Sequence, residues 1–277
     1  MINILFCGND KVFDGFLTCA LSIMKRSRLD EPMTFYILTM DVSHIKPEYV
    51  PIRDKQIEFL DEVLKTYNNE NRVIKIDVTD LYKEHFAGCP NESAYCSPYT
   101  LIRLFADKID LPEKVLYLDA DVMFNRDIHF LYDINIDEYE YAAARDHYGK
   151  FLINPNYINA GVILFNMKMA RETGLFEKAR EWIKKKKLVF ADQSAIIRST
   201  TKRKVLPQKF NDQKFLKKDT VIRHFSKRLF WLPYPHTDNI KQWHISKVHR
   251  IFKYTQFDDI YVDYIYLREK FLREVDK

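Results

Sequence analysis

Residues 114–124 read KVLYLDADVMF, an apolar run that ends in two aspartates separated by one alanine. The apolar part is typical of a buried β-strand. In an extended segment, side chains two positions apart leave the same face, so Asp119 and Asp121 are placed to hold one divalent cation between them. A cation held in this way can bind a diphosphate. Because such a triplet also arises by chance, its meaning depends on the rest of the chain.

The size and composition indicate a folded protein with a large core. Of the 277 residues, 47% are hydrophobic, enough for one large domain or a core domain with an appended subdomain. No apolar run approaches the roughly 20 residues of a membrane-spanning helix, and residues 1–7 do not read as a signal peptide. We therefore expect a soluble, cytoplasmic protein. The cysteines form no Cys-x-x-Cys pair, and we expect reduced thiols without a metal role at Cys7, Cys19, Cys89 and Cys96.

The positive charge is concentrated in one segment. Residues 202–228 contain ten Lys or Arg against two acidic residues, whereas the net charge of the whole chain is +5. Such a cluster suits phosphates, an anionic membrane surface or nucleic acid, although a solvated loop is an equally common meaning. Aromatic residues are few there and no RNA-binding signature occurs, so we expect no nucleic-acid partner.

Strand and helix patterns alternate in the N-terminal half. Strand patterns occur at residues 1–7, 33–40 and 72–78, and helix patterns at 13–26 and 54–67. This alternation predicts an α/β sheet of the nucleotide-binding kind, with parallel strands. In open sheets of this kind ligands bind beyond the carboxyl ends of the strands, where residues 8–10 and 119–121 would both lie.

The second half predicts further strands and helices. Strand patterns occur at residues 141–144 and 161–166, and helix patterns at 168–187 and 192–199. After residue 233 the chain becomes aromatic and basic, which indicates a C-terminal helical appendage. We therefore expect a catalytic domain at 1–232 and an appendage at 233–277.

Four segments occur in a particular order: LDAD at 118–121, INAGV at 158–162, DQ at 192–193 and IRHF at 222–225. In this order and spacing the chain resembles the retaining glycosyltransferases of family eight, which include bacterial lipooligosaccharide galactosyl- and glucosyltransferases and glycogenin. The resemblance runs from residue 1 to about residue 224. It implies a Rossmann-like GT-A fold with a mixed sheet flanked by helices, a UDP-sugar donor, a manganese ion, and transfer with retention of anomeric configuration.

The resemblance makes His224 the third metal ligand beside Asp119 and Asp121. Two carboxylates and an imidazole are ligands that Mn²⁺ or Mg²⁺ accepts. The family usually continues from this histidine through Gly to Lys-Pro-Trp, whereas this chain continues with FSKRLFW. We expect Lys227 or Arg228 to supply the cation that neutralises the diphosphate.

The resemblance also assigns residues to the UDP part of the donor. These lie after the first strand and within the aspartate triplet: Cys7, Gly8, Asn9, Asp10 and Ala120. Val12 or Phe13 stands near the position of an aromatic that stacks on uracil, and Phe13 fits the core equally well. Arg103 matches an arginine that reaches the donor; its ordinary alternative is a helix-surface arginine.

The sugar side of the donor is assigned in the same way. Asp146 and Asn159 match positions that bind sugar hydroxyls. Asp192 and Gln193 match the catalytic pair that flanks the anomeric carbon, and Ser194 follows where the family usually has an aspartate. The ordinary alternatives are a turn at Asn159 and a helix N-cap at Asp192.

The implied reaction needs no strong protein nucleophile. A metal stabilises the leaving diphosphate, the acceptor attacks from the same face, and the leaving phosphate accepts its proton. The hexose is glucose or galactose, and the acceptor is a saccharide or lipid-linked saccharide. We expect that acceptor to meet the C-terminal part, with peripheral contact to an anionic membrane; the alternative is a helical cap over the sheet. Rival functions are a metal-dependent nucleotidyltransferase or pyrophosphatase, and a non-catalytic nucleotide-sugar-binding protein.

Overall fold

A computed structural model describes residues 1–92, 97–232 and 234–274; Cys96, predicted to be a reduced thiol, lies outside this part. The strands are β1 (Ile2–Cys7), β2 (Met33–Thr39), β3 (Arg72–Asp77), β4 (Lys114–Leu118), β5 (Val122–Phe124), β6 (Tyr141–Arg145), β7 (Ile158–Asn166), β8 (Arg203–Leu206), β9 (Ile222–His224), β10 (Arg228–Phe230) and β11 (His236–Asp238). The α-helices are α1 (Phe13–Arg26), α2 (Asp54–Lys65), α3 (Thr79–Phe86), α4 (His129–Tyr132), α5 (Gly149–Leu152), α6 (Met167–Glu172), α7 (Leu175–Lys185), α8 (Ala191–Ser199), α9 (Ile245–Lys247) and α10 (Asp258–Glu274). The short 3₁₀ turns are Asp10–Val12, Pro98–Thr100, Ile102–Phe105 and Gln208–Phe210, and the π-helical turn is Val248–Phe252.

Seven strands form one mixed sheet in the order β3-β2-β1-β4-β7-β6-β8. The first four are parallel, whereas β7 runs antiparallel to both of its neighbours. The carboxyl ends of β1 and β4 therefore lie beside the beginning of β7, at the same end of the sheet. Leu118 of β4 pairs with Val162, and the backbone N–H of Asp119 donates to the carbonyl of Gly161 at 2.8 Å. The α/β prediction is confirmed, and the sheet is mixed.

The central strands are buried on both faces, which explains why their sequences are almost wholly apolar. β1 and β4 carry uninterrupted runs of buried side chains, and helices cover each side. One hydrophobic core contains residues of α1, α2 and α10, and the other contains residues of α3, α7 and α8. The sheet thus lies between two helical layers.

Two local predictions are wrong. The single helix predicted at 168–187 is divided into α6 and α7, because Gly174 between them has φ +67°, which is outside the helical region. The extended segment predicted through Asp121 also ends early, since β4 stops at Leu118 and residues 120 and 121 form a turn.

The C-terminal segment is helical and packs against the core. The ring of Phe271 in α10 lies 5.1 Å from Phe13 and 5.1 Å from Phe59, measured between ring centroids. Asp259 of α10 forms an ion pair with Arg26 of α1 at 2.6 Å. The division of the chain at residue 232 stays a prediction. None of the helices in the described residues is long and apolar enough to cross a membrane.

Candidate active site

Three candidate metal ligands converge at the carboxyl end of β4. Asp119 follows this strand directly, and Asp121 lies in the turn to β5. His224 ends β9, which pairs antiparallel with β5 so that His224 lies opposite Val122. One ligand atom from each of the three residues lies within 4.8 Å of the others. Carboxylate oxygens and an imidazole nitrogen are a donor set that fits Mn²⁺ or Mg²⁺.

The orientation of the His224 ring is set by Asn211. Nδ1 of His224 lies 2.9 Å from Oδ1 of Asn211, while Nε2 lies 3.1 Å from Oδ1 of Asp121 and 3.9 Å from Oδ2 of Asp119. An amide oxygen accepts only, so Nδ1 donates to Asn211, and Nε2 is the ring nitrogen that faces the two carboxylates. This is how metal-binding histidines are usually oriented.

Gly161 leaves room for two of the three ligands. A Cβ at this position would lie 2.3 Å from Cε1 of His224 and 2.8 Å from Oδ2 of Asp119, distances too short for any real contact. The glycine in the INAGV segment is therefore explained by the packing of two candidate metal ligands, Asp119 and His224, against the backbone of β7.

Lys241, which belongs to the C-terminal segment, forms an ion pair with Asp121. Its ammonium also lies 3.5 Å from the carbonyl of Phe225. Burial would raise the pKa of the Asp121 carboxyl, but Lys241 and His224 outweigh burial and hold that pKa well below its usual range. Asp121 is therefore ionised and ready to bind a cation.

Arg103 connects the metal side of the site to α8. Its guanidinium donates to Oδ1 of Asp119 at 3.0 Å and to the carbonyl of Ala160 at 2.6 Å, and its Nε lies 3.3 Å from Oδ2 of Asp192. The guanidinium also lies over the ring of Tyr117, 4.0 Å from the ring centroid. Arg103 is only 2% exposed, so it is not a helix-surface arginine.

A chain of amides joins the predicted sugar residues to the metal ligands. Nδ2 of Asn159 donates to Oδ2 of Asp146 at 2.8 Å, and Oδ1 of Asn159 accepts from Nδ2 of Asn211 at 2.8 Å. Gln213 also donates to Oδ2 of Asp146, at 3.2 Å. The structure thus brings Asp146 and Asn159 together, next to the residue that orients His224.

Asp192 and Gln193 lie in the first turn of α8. The N-cap of this helix is Phe190, so Asp192 is not the N-cap. Burial raises the pKa of Asp192, and Arg103 offsets this only in part. Oε1 of Gln193 accepts from the backbone N–H of Ala160 at 3.0 Å, which fixes the amide against the start of β7.

A cleft of about 270 Å³ lies between the loops that follow β1 and β4. The predicted residues that line it are Cys7, Gly8, Asn9, Arg103, Asp119, Ala120 and Asp121. Val12 lines it too, whereas Phe13 is buried in the core. Asp10 is not among the lining residues and pairs with Arg53 at 2.9 Å. The prediction that the two loops meet is confirmed.

The C-terminal segment brings further residues to this cleft, which were not predicted from the sequence. Lys241 and Trp243 line it, and Gln242 donates to the carbonyl of Ala120 at 2.8 Å. Lys227 is exposed and is not among the lining residues. A signal was present, since Lys-Gln-Trp differs by one residue from the Lys-Pro-Trp that usually follows the histidine. In the sequence, the β10–β11 hairpin separates the Lys-Gln-Trp tripeptide from His224.

Comparisons with known proteins identify relatives of this chain. A family model described as "Glycosyl transferase family 8" matches residues 3–228. A putative glycosyltransferase of Haemophilus influenzae is 27% identical over 241 residues, which cover 80% of this chain and 67% of that protein. A lipopolysaccharide 1,3-galactosyltransferase of Salmonella typhimurium is 31% identical over 160 residues, which cover 50% of this chain and 46% of the relative.

Solved structures share the fold. The crystal structure of the galactosyltransferase LgtC in complex with donor and acceptor sugar analogs has a TM-score of 0.67 and 20% identity, with 94% of this chain and 95% of that chain covered. The glycosyltransferase GlyE of Streptococcus pneumoniae has a TM-score of 0.66 and 16% identity, with 99% of this chain and 64% of that chain covered. At such low identity these likenesses establish the GT-A fold alone.

Proposed function

This chain belongs to glycosyl transferase family 8, and we propose that it transfers glucose or galactose from a UDP-hexose to a saccharide or lipid-linked saccharide, with retention of configuration. The observation that carries the proposal is the convergence of Asp119, Asp121 and His224 beside the cleft after β1 and β4. These three residues would hold Mn²⁺ or Mg²⁺. When bound, such an ion stabilises the negative charge that develops on the leaving diphosphate.

The UDP moiety is proposed to occupy the cleft of about 270 Å³. Asn9 offers an amide to uracil or ribose, and Trp243 offers an aromatic face in the same lining. Lys241 is proposed to neutralise the diphosphate in place of Lys227, because its ammonium already lies at Asp121 whereas Lys227 is exposed outside the lining.

The hexose is proposed to lie against Asp146, Asn159, Asp192 and Gln193. Gln193 is an amide and a poor nucleophile, and its oxygen is engaged by the backbone of Ala160. Asp192 is engaged by Arg103. These constraints support direct same-face attack: the bond from the anomeric carbon to the phosphate oxygen breaks and the acceptor oxygen bonds to that carbon. The proton of the acceptor hydroxyl passes to the departing phosphate.

The catalytic unit is proposed to extend beyond residue 232, because Lys241 and Trp243 of the C-terminal segment line the donor cleft. Peripheral contact with an anionic membrane stays a prediction. Sedimentation of the full chain with anionic and neutral vesicles tests it, and equal sedimentation with both would contradict it.

The first experiment measures UDP release from UDP-glucose and UDP-galactose with and without Mn²⁺. We expect metal-dependent release that prefers one donor. Asp121→Asn removes a charged ligand and should reduce release by about 100-fold or more, whereas the exposed Asp219→Asn serves as the matched control. Release of pyrophosphate instead of UDP, or equal activity of both variants, would contradict the proposal. When water is the acceptor, NMR shows which anomer of the hexose forms first. That anomer tests whether the configuration is retained.

A further inference from the structure

A second cavity, of about 650 Å³, opens beside the first turn of α8. We propose that this cavity binds the phosphate group of a lipid-linked saccharide acceptor. The inference rests on the proposed glycosyl transfer and specifies its acceptor.

The cavity shares residues with the reacting side of the site. Ser194 lines it and directly follows Gln193 in α8. The hydroxyl of Ser194 lies 2.7 Å from that of Tyr157, which also lines the cavity. The backbone carbonyl of Tyr157 accepts from the N–H of Asp146 at 2.9 Å. A molecule in this cavity therefore lies next to the residues proposed to hold the hexose.

The lining of the cavity is strongly positive. It contains four cations and no carboxylate; the cations are Lys186, Lys187, Arg198 and Arg203. Within the described parts of the chain none of the four forms an ion pair. Arg198 lies over the ring of Trp182, 5.2 Å from its centroid, and Arg203 donates to the carbonyl of Asn156 at 2.9 Å. Grouped cations without a carboxylate partner are the arrangement that binds phosphate, and arginine binds it through two parallel hydrogen bonds.

Ser194 adds a hydroxyl and no negative charge to the lining, so it does not compensate the four cations. A hydroxyl can also donate a hydrogen bond to a phosphate oxygen. The cavity of this chain therefore favours an anion.

The rim of the cavity is apolar and exposed. Ile153 and Val189 line it, and Phe151 and Leu152 immediately precede Ile153 in the chain. The side chains of Phe151, Leu152 and Val189 are 77%, 81% and 77% exposed. Apolar groups beside grouped cations match an amphiphile whose phosphate adjoins a hydrocarbon chain. This is the chemistry of a phosphate-linked lipid carrier, not of a free sugar phosphate.

Calorimetric titration of the full chain tests the proposal with three probes: farnesyl phosphate below its micellar concentration, farnesol and inorganic phosphate. We expect farnesyl phosphate to bind at least about tenfold more tightly than either of the others, because only it supplies both groups. Equal binding of farnesol, or equal binding of inorganic phosphate, would overturn the proposal.

Variants locate the binding. Lys187→Gln and Arg198→Gln should each weaken farnesyl phosphate binding about fivefold or more, the loss of one charge-assisted contact. Lys185→Gln is the matched control, because Lys185 belongs to the same lysine run but pairs with Glu181 at 3.3 Å and does not line the cavity. Equal weakening by the control would place the binding elsewhere and overturn the assignment.

The failure of this inference is distinguishable from that of the proposed function. Metal-dependent UDP release by the wild-type chain, without discrimination among the three probes, would refute the acceptor site alone. Selective farnesyl phosphate binding by a wild-type chain that releases no UDP under any condition would refute glycosyl transfer, and the acceptor role with it.

Discussion

Nδ1 of His224 lies 2.9 Å from Oδ1 of Asn211, and this contact joins the candidate metal centre to the predicted sugar site. The amide nitrogen of Asn211 donates in turn to Oδ1 of Asn159, so the amide is held in one orientation. Asn211 is fully buried and no solvent competes for either bond. The ring of His224 is therefore positioned before any ligand arrives.

Replacing Asn211 by leucine, which has a similar shape, should weaken Mn²⁺ binding about 10- to 100-fold, because His224 loses the acceptor that fixes its ring. The free energy of unfolding should fall by about 1–3 kcal/mol, since Nδ1–H of His224 loses its acceptor and Oδ1 of Asn159 loses a donor. Electron paramagnetic resonance measures free Mn²⁺, and thermal unfolding measures stability. The exposed Asn239→Ala is the control; unaltered Mn²⁺ affinity in Asn211→Leu would contradict the role of the contact.

Gly161→Ala should remove metal binding and most activity. The added Cβ would lie 2.3 Å from Cε1 of His224 and 2.8 Å from Oδ2 of Asp119, so at least one ligand must move. Overpacking of this kind costs about 1–3 kcal/mol of stability. The measurements are Mn²⁺ affinity and metal-dependent UDP release. Gly88→Ala is not a suitable control, because Gly88 has φ +71° and alanine would be strained there. Ala142→Gly in β6 serves instead as a control for exchanging glycine and alanine within the sheet.

Lys241→Met and Lys227→Met form a matched pair that tests which lysine neutralises the diphosphate. Lys241 pairs with Asp121, whereas Lys227 is exposed at the beginning of the β10–β11 hairpin. We expect UDP affinity to fall about tenfold or more in Lys241→Met, the loss of one charge-assisted contact, and to change less than twofold in Lys227→Met. Titration calorimetry with UDP and Mn²⁺ measures both. The reverse order would restore Lys227 as the phosphate ligand.

Asp192→Asn should stabilise the protein at neutral pH while lowering activity. Burial raises the pKa of Asp192 despite Arg103, so the folded state binds the proton more tightly than the unfolded chain. Protonated Asp192 therefore stabilises the folded state and ionised Asp192 destabilises it. The stabilisation by protonation is complete below the unfolded pKa and is lost as pH rises through the folded pKa. The free energy of unfolding of Asp192→Asn should therefore exceed that of the wild type at pH 7, and the difference should shrink towards pH 4.

Denaturant unfolding of both proteins at several pH values measures this difference, with the exposed Asp110→Asn as control. A less stable Asp192→Asn at pH 7 would mean that the pair with Arg103 outweighs the burial of the carboxylate. Hexose transfer should fall at least about tenfold in the same variant, because a charged acceptor for sugar hydroxyls is replaced by a neutral one.

The sequence by itself determined several of the local elements and pointed to the candidate metal ligands. α1 begins and ends at the predicted residues because its apolar spacing is a local property that neighbouring residues carry. Asp119, Asp121 and His224 were identified by the order of short motifs. Their convergence, however, depends on the pairing of β5 with β9, two strands about 100 residues apart in the chain, which no local pattern specifies.

Only the tertiary structure decided which side chains of the C-terminal half reach the site. Lys241 lies beside Asp121 although the β10–β11 hairpin separates it from His224 in the sequence, and this distance along the chain conceals the relationship. Asn211 and Gln213 were also not identified from the sequence, because their partners His224, Asn159 and Asp146 lie in or after β9, β7 and β6. Periodicity reports which face of an element is buried; it does not report which distant element covers that face.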